Sequence, residues 1–295
     1  MPEDTTPRQA EAFQSRSMIF RGWQTRFLAR STGRSSSFAA WLAGLACASL
    51  ACVPLLIGQS RVGRTPAPPQ AATPAVMVPF QGLERLAFQV LFSKFTVKAA
   101  ELQFNVVERR TFFGRPAWHF RANAQTVDTV RILYPLDDQF DSYTDAARLT
   151  SLQYEMYLRE QGGKEDHTWR MDTGEESIPE GVSAARVTPG TRDPLGFIYA
   201  LRATDWKKTP ELRAPVFEGR HLYDVQARLA ESAGVKVPAG QFNASKIRIQ
   251  VFERGRELTD TSFSLWLADD AGRTPVLIEA DLPIGSARVE LTGRR

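Results

Sequence analysis

The 295-residue sequence has only two cysteines, Cys47 and Cys52, and none after them. Residues 53–295 therefore hold no disulfide, no thiolate metal site and no cysteine nucleophile. Histidine is nearly as scarce. His119, His167 and His221 lie far apart, and no i, i+2 or i, i+4 spacing pre-arranges a metal site. The sequence also lacks a G-x-S-x-G elbow, a phosphate loop, a dinucleotide fingerprint and H-E-x-x-H. No catalytic residue, metal ligand or cofactor site is expected. Excess charge is missing too, once it is located. The sequence pI is 9.2, but residues 1–60 carry six arginines against three acids, leaving 31 basic and 30 acidic residues in 61–295. A nearly neutral domain has no electrostatic footprint for nucleic acid, and no nucleic-acid partner is expected.

One long apolar run is present. No charge falls between Ser35 and Ser60, and its core, residues 38–58, is 21 residues long. At 1.5 Å per residue that length crosses a hydrocarbon core of ~30 Å. Arg21, Arg26, Arg30 and Arg34 precede it, which orients residues 1–37 to the cytoplasm and exports the chain beyond residue 58. An uncleaved anchor, a cleaved signal and a lipoprotein signal acylated at Cys52 or Cys47 all fit this run. In the first case the chain has a membrane partner through residues 38–58. Residues 59–79 come next, with Pro66, Pro68, Pro69, Pro74 and Pro79 among alanines. Closely spaced prolines favour polyproline II, a spacer reaching up to roughly 60 Å; an irregular linker is the alternative.

From residue 80 a period of two takes over. Leu86, Phe88 and Val90 alternate with Ala87 and Gln89, and Leu102, Phe104 and Val106 with Gln103 and Asn105. The same holds around Trp118, Phe120 and Ala122, around Leu152, Tyr154 and Met156, and around Ile247 and Ile249. It continues through Phe263 and Leu265, through Val276, Ile278 and Ala280, and through Val289 and Leu291. One apolar face per strand marks a sheet wet on one side, hence antiparallel. Turn chemistry sits between the runs at Gly114-Arg-Pro, Gln161-Gly-Gly, Glu218-Gly, Arg254-Gly and Asp269-Asp-Ala-Gly. The expected fold of 80–295 is mainly β: an antiparallel barrel or half-barrel of about 10–12 strands closing over a shared interior. One segment departs from the period. In 193–204, Leu195, Ile198 and Leu201 are spaced helically behind Asp193 as N-cap and Pro194 at the first position. A short helix over one mouth of the sheet is expected there, weakened by Gly196.

Four stretches, in order, resemble a known bacterial family. They are Tyr134–Tyr143, Thr191–Arg202, Val216–Val225, and Trp266–Val276 with Gly285–Leu291. Together they are similar to the family called domain of unknown function 3108, over roughly residues 80–292. The resemblance implies an exported β-rich domain of the bacterial envelope, and the leader, which lies outside it, leaves the domain either in the periplasm on an inner-membrane anchor or exported after cleavage. It brings no catalytic residue.

Each remaining feature has a plain reading beside a functional one. The histidines fit surface or structural roles. Asp137-Asp138 and Asp269-Asp270 are adjacent, so on a strand their carboxyls point to opposite faces; a cation-binding rim is the functional alternative. Aromatics are the suggestive signal. Phe104, Trp118, Phe120, Tyr154 and Trp266 are the candidate ligand-binding residues, as interior side chains that either line a chamber or fill a core. The expected function is a non-enzymatic envelope protein binding an apolar ligand, a lipid or acyl group. An adaptor docking an envelope protein by a strand edge is the alternative. A hydrolase joining a histidine to a serine and an aspartate is the third.

Overall fold

The computed structural model describes residues 77–92, 97–171, 178–283 and 285–295. The expectations for 1–37, for 38–58 and for 59–76 lie outside the described residues. Among those described, no helix is long and apolar enough to cross a membrane.

The period-two runs become strands. They are β1 (Arg85–Phe92), β2 (Val97–Phe112), β3 (Arg115–Thr126), β4 (Asp137–Asp145), β5 (Ser151–Leu158), β6 (Glu165–Arg170) and β7 (Ser183–Ala184). After these come β8 (Glu211–Phe217), β9 (Leu222–Val237), β10 (Gly240–Glu253), β11 (Arg256–Glu257), β12 (Ser262–Ala268), β13 (Pro275–Leu282) and β14 (Gly285–Arg294). Two helices interrupt them, α1 (Asp128–Leu133) and α2 (Pro194–Ala203). α1 was not expected: it is six residues long and buries none of them, so no amphipathic period announces it.

The fold is mainly β, one 14-stranded sheet in the order β7-β6-β5-β4-β3-β2-β1-β14-β13-β12-β10-β9-β8, with β11 beside β10. Two of these strands have only two residues, which is why the count exceeds the sequence expectation. All pairs are antiparallel except β6–β7. The turns obey their chemistry. Phe113-Gly114 and Arg254-Gly255 each hold two consecutive positive φ angles, as two-residue hairpin turns matched to strand twist require, and Gln161-Gly162 does the same within the longer β5–β6 connection.

The sheet is an open half-barrel whose two flanks are tied by one extended segment. Thr191 O accepts from Ser151 N of β5, while Arg192 N donates to Pro215 O of β8 and Arg192 O accepts from Phe217 N. The period-two pattern does not show this tie, because it consists of Thr191 and Arg192 alone.

α2 does not lie over the sheet as a lid; it is buried inside, at every residue from Pro194 to Arg202. Burial on all sides requires that its polar groups be satisfied within the protein. At the N-terminus Asp193 accepts from Gly196 N (2.8 Å), Ser142 Oγ (2.5 Å) and Ser151 Oγ (2.5 Å). At the C-terminus Arg202 is 0% exposed and forms a two-pronged bond to Glu84 (2.6 and 2.9 Å), with a third to Gly272 O (2.9 Å). Between these caps Tyr199 stacks on Phe120 at 3.7 Å, and Phe80 packs edge-on against Trp118, Phe120 and Tyr199.

Gly196 has a steric cause. A Cβ there would lie 3.0 Å from Ser151 Oγ and from Thr144 Oγ1, so helix and sheet touch through the missing side chain. In an exposed helix Gly→Ala gains about 1 kcal/mol. Here the overpacking cost of about 1–3 kcal/mol outweighs it, and Gly196→Ala lowers the urea midpoint. An increase would show that α2 is not packed this closely. Arg202→Met leaves Glu84 without its buried cation and lowers stability by about 3–5 kcal/mol in the same titration.

Candidate functional site

Strand direction sorts the connections into two ends. At one lie the start of β1, the β2–β3, β4–β5 and β12–β13 turns, and both caps of α2. This end is plugged. At the other lie the β1–β2 connection, α1, and the β5–β6, β8–β9 and β13–β14 turns. No helix fills the concave face there. Leu102, Met156, Leu158 and Trp169 stand on it only partly buried against the core. We call this end the mouth.

The sequence candidates divide between the two faces. Phe104, Trp118, Phe120 and Tyr154 lie on the concave face and are buried. Phe104 pairs with Ala122, and Tyr154 with Ser142, so register brings them onto one surface. Trp266 does not join them. It pairs with Lys246, points away from Phe263 and Leu265, and donates from Nε1 to Glu279 Oε2 (3.0 Å), with Lys246 Nζ 5.1 Å from its ring centre. The expectation that Trp266 faces the interior is therefore corrected: residue 266 is out of step with 263 and 265. Its burial comes from the β9–β10 hairpin, which arches back so that Ala239 N donates to Leu291 O of β14 (3.0 Å). Val235, Val237 and Phe242 share the face of Trp266 by register.

The histidines remain apart. His119 Nε2 meets Asp141 Oδ1 at 2.5 Å under a stacked Tyr143, and Arg121 and Gln139 donate to the same carboxylate. This cluster faces away from the mouth, on the face of the sheet opposite Trp118 and Phe120. His167 stands 3.4 Å from Glu165, and His221 2.9 Å from Glu218. Among the described residues no group of three or more His, Cys, Asp or Glu could hold a metal ion. The hydrogen bonds of His119 give it an acid partner but no serine hydroxyl.

The two aspartates of Asp137-Asp138 separate by face as period two demands. Asp137 binds Arg131 of α1 at the surface, while Asp138 turns inward at the mouth and is 3% exposed. Its carboxyl accepts from Arg159 N (2.8 Å) and is hydrogen-bonded to Glu160, which also accepts from Tyr134 OH (2.5 Å). Burial, and then the nearby Glu160 and Asp137 charges, push the Asp138 carboxyl up to about 7. Sequence reasoning missed this group because nothing in Asp-Asp says which member is buried, or that Glu160 sits across from it.

Across the mouth the sheet's flanks meet at Gly219. Its φ is +114°, and a Cβ would come 2.8 Å from Trp169 Cη2. Trp169 of β6 thus closes on the β8–β9 turn, where its ring also meets Phe217 edge-on.

The strands that build this half-barrel and its mouth coincide with a known family. The model of "Protein of unknown function (DUF3108)" matches residues 87–292. The chain belongs to the DUF3108 family. The match covers the DUF3108 sheet from β1 to β14 and includes the mouth. No curated protein matches. Among solved structures, the domain is similar to a β-barrel-like protein of the DUF1849 family from Brucella abortus, at 10% identity and TM-score 0.45, covering 72% of this chain and 97% of that one. It is also similar to a candidate exported protein with YmcC-like fold from Bacteroides fragilis (11%, TM-score 0.32, 75% and 99%). A candidate lipoprotein from Parabacteroides distasonis is a further match (9%, TM-score 0.34, 75% and 99%). These values lend no residue role to the DUF3108 chain.

The buried acid has a measurable consequence. Asp138 holds its proton to about pH 7 when folded, but an unfolded aspartate releases it near ~3.9. Between those values the folded state binds more protons, so this group's contribution to stability falls as pH rises from about 4 to 7 and is level outside that window. Asp193, raised in the same direction by its burial, adds to the fall. Asp138→Asn keeps the acceptor for Arg159 N and removes the ionisation. It raises stability at pH 8 and shrinks the difference between urea midpoints at pH 5 and pH 8. An unchanged difference would mean that Asp138 is ionised in the fold.

Proposed function

We propose that this domain is a non-enzymatic module of the bacterial envelope that binds an apolar ligand, a lipid or acyl group, at the mouth. One observation carries the reading: on the concave face, at the end that α2 leaves unfilled, Leu102, Met156, Leu158 and Trp169 are only partly buried. A ligand tail would lie on Leu102, Met156, Leu158 and Trp169, with Phe104, Trp118, Phe120 and Tyr154 as the packed floor beyond it. Pockets of this kind take affinity from apolar walls and orientation from a few polar groups; Tyr134, Asp138 and Glu160 stand where a headgroup would sit. The export reading of the leader supports the address. A strand-edge adaptor has less in its favour among the described residues. β8 carries Pro215 and is capped by Arg192, and β7 is two residues long; such edges offer little to a strand of another protein.

Native mass spectrometry of the full chain, purified from a bacterial envelope without strong detergent, tests this. The expected result is a discrete added mass that extracts as lipid. Met156→Arg places a charge on the concave wall and lowers the loaded fraction by about tenfold or more. A bare polypeptide mass, or a Met156→Arg chain loaded like the parent, would sink the reading.

A further inference from the structure

The two edges of the sheet face each other across a seam. Pairing stops at β7 on one flank and at β8 on the other, so neither β6 nor β7 is paired with β8. The tie through Thr191 and Arg192 spans the seam toward the plugged end, where it meets Ser151, Pro215 and Phe217. Nearer the mouth the two flanks meet through side chains. Trp169 of β6 lays its ring against Gly219 of the β8–β9 turn, and its centroid lies 5.9 Å from that of Phe217.

The two sides of this closure are built differently. On the β8–β9 side, Glu218 is 4% exposed and fastens the turn. Its carboxylate accepts from His221 N (2.8 Å) and Arg220 N (3.3 Å) and faces His221 Nδ1 at 2.9 Å. Its backbone N donates to His221 O (3.3 Å). That turn is a fixed sill. Trp169 is held by rings, stacked on Tyr154 at 5.9 Å and on His167 at 5.3 Å, and among the described residues its Nε1 has no hydrogen-bond partner. Tryptophans that serve only packing in this domain look different. Trp206 and Trp266 are each under a tenth exposed and donate from Nε1, to Leu201 O (2.9 Å) and to Glu279 (3.0 Å). Trp169 is only partly buried, and Gly219 offers it no side chain to lock against. Moving it takes a change of rotamer and unpairs no strand.

The uncovered wall lies directly behind this contact. Register sets Tyr154 beside Trp169 and Met156 beside His167, and Met156 Sδ is 3.3 Å from the position of a Cβ on Gly219. Met156 and Leu158 are themselves partly buried. A ring turned away from Gly219 would therefore uncover an apolar surface along the side of the half-barrel, not at its end.

From this we infer that Trp169 is the leaf of a side gate: it swings off Gly219, the seam between β6 and the β8–β9 turn opens, and an acyl chain enters the half-barrel sideways. The inference rests on the preceding ligand reading for what passes through. A long chain admitted along its length need not be threaded end-on past the mouth, and its headgroup stays outside the seam in water.

The experiment uses the full chain with Cys47→Ser and Cys52→Ser in lipid nanodiscs. Stopped-flow fluorescence follows uptake and release of a dansyl-labelled fatty acid, with the signal of protein-free discs subtracted. Trp169→Leu keeps the site apolar and shortens the leaf. It is expected to raise the uptake and release rate constants together, by about tenfold, and to move Kd by less than about threefold. A side chain that served packing alone would, when shortened, quicken release and weaken Kd without quickening uptake. A second chain carries Trp169→Cys and Arg220→Cys. Bridging that pair with a cleavable bis-maleimide is expected to slow uptake by about tenfold or more, and cleaving the linker to restore it. Uptake that is the same in the parent, the Trp169→Leu chain and the bridged chain overturns the gate and leaves the ligand reading standing. Faster release with unchanged uptake in Trp169→Leu overturns it as well. A parent that takes up no probe removes the ligand reading, and the gate with it.

Discussion

The whole arrangement depends on burying a polar-ended helix inside a sheet. A ten-residue helix removed from water on every side leaves its terminal amides and carbonyls to be satisfied by the protein itself, and each failure would cost about 1–3 kcal/mol. Asp193 answers at one end with two serine hydroxyls from β4 and β5 supporting it. Arg202 answers at the other through Glu84 and Gly272. These contacts join the segment before β1, the β4–β5 hairpin and the β12–β13 turn, which are remote in sequence. The half-barrel is thus fixed at one end by buried polar bonds, and its curvature there is set by the bulk of Tyr199, Phe80 and Phe120.

That same choice leaves the other end different in kind. A helix fills only so much of a concave face, and beyond it Leu102, Met156, Leu158 and Trp169 are only partly buried. The apolar mouth is the complement of the plug. A buried acid at its edge adds a group whose charge changes near neutral pH. α1, a helix with no buried residue, is held at that end by Arg131, which bonds to Asp137.

The Trp266 face shows how a sheet can build a second small core. The β9–β10 hairpin is longer than its neighbours, bends at a register shift near Lys246, and lays Val235 and Val237 back toward β13 and β14. An aromatic residue on the outward face of β12 is thereby buried without facing the interior. Density of aromatics in strands therefore overstated the interior by one member.

Local chemistry in the sequence determined the strands, because alternation such as Leu86-Ala-Phe-Gln-Val encodes a face directly. It determined the tight turns, because consecutive positive φ angles need glycine beside them. It also determined the extent of α2, because Asp193-Pro194 is a helix start by itself. The sequence motifs of the DUF3108 family likewise marked the domain. Tertiary structure alone decided what those pieces meet. Whether α2 lies over the sheet or inside it turns on Arg202 finding Glu84, 118 positions away. Which aspartate of Asp137-Asp138 is buried turns on pairing with β5. Which end of the half-barrel is open turns on where the helix comes to rest. These are contacts between distant segments, and no local propensity carries them.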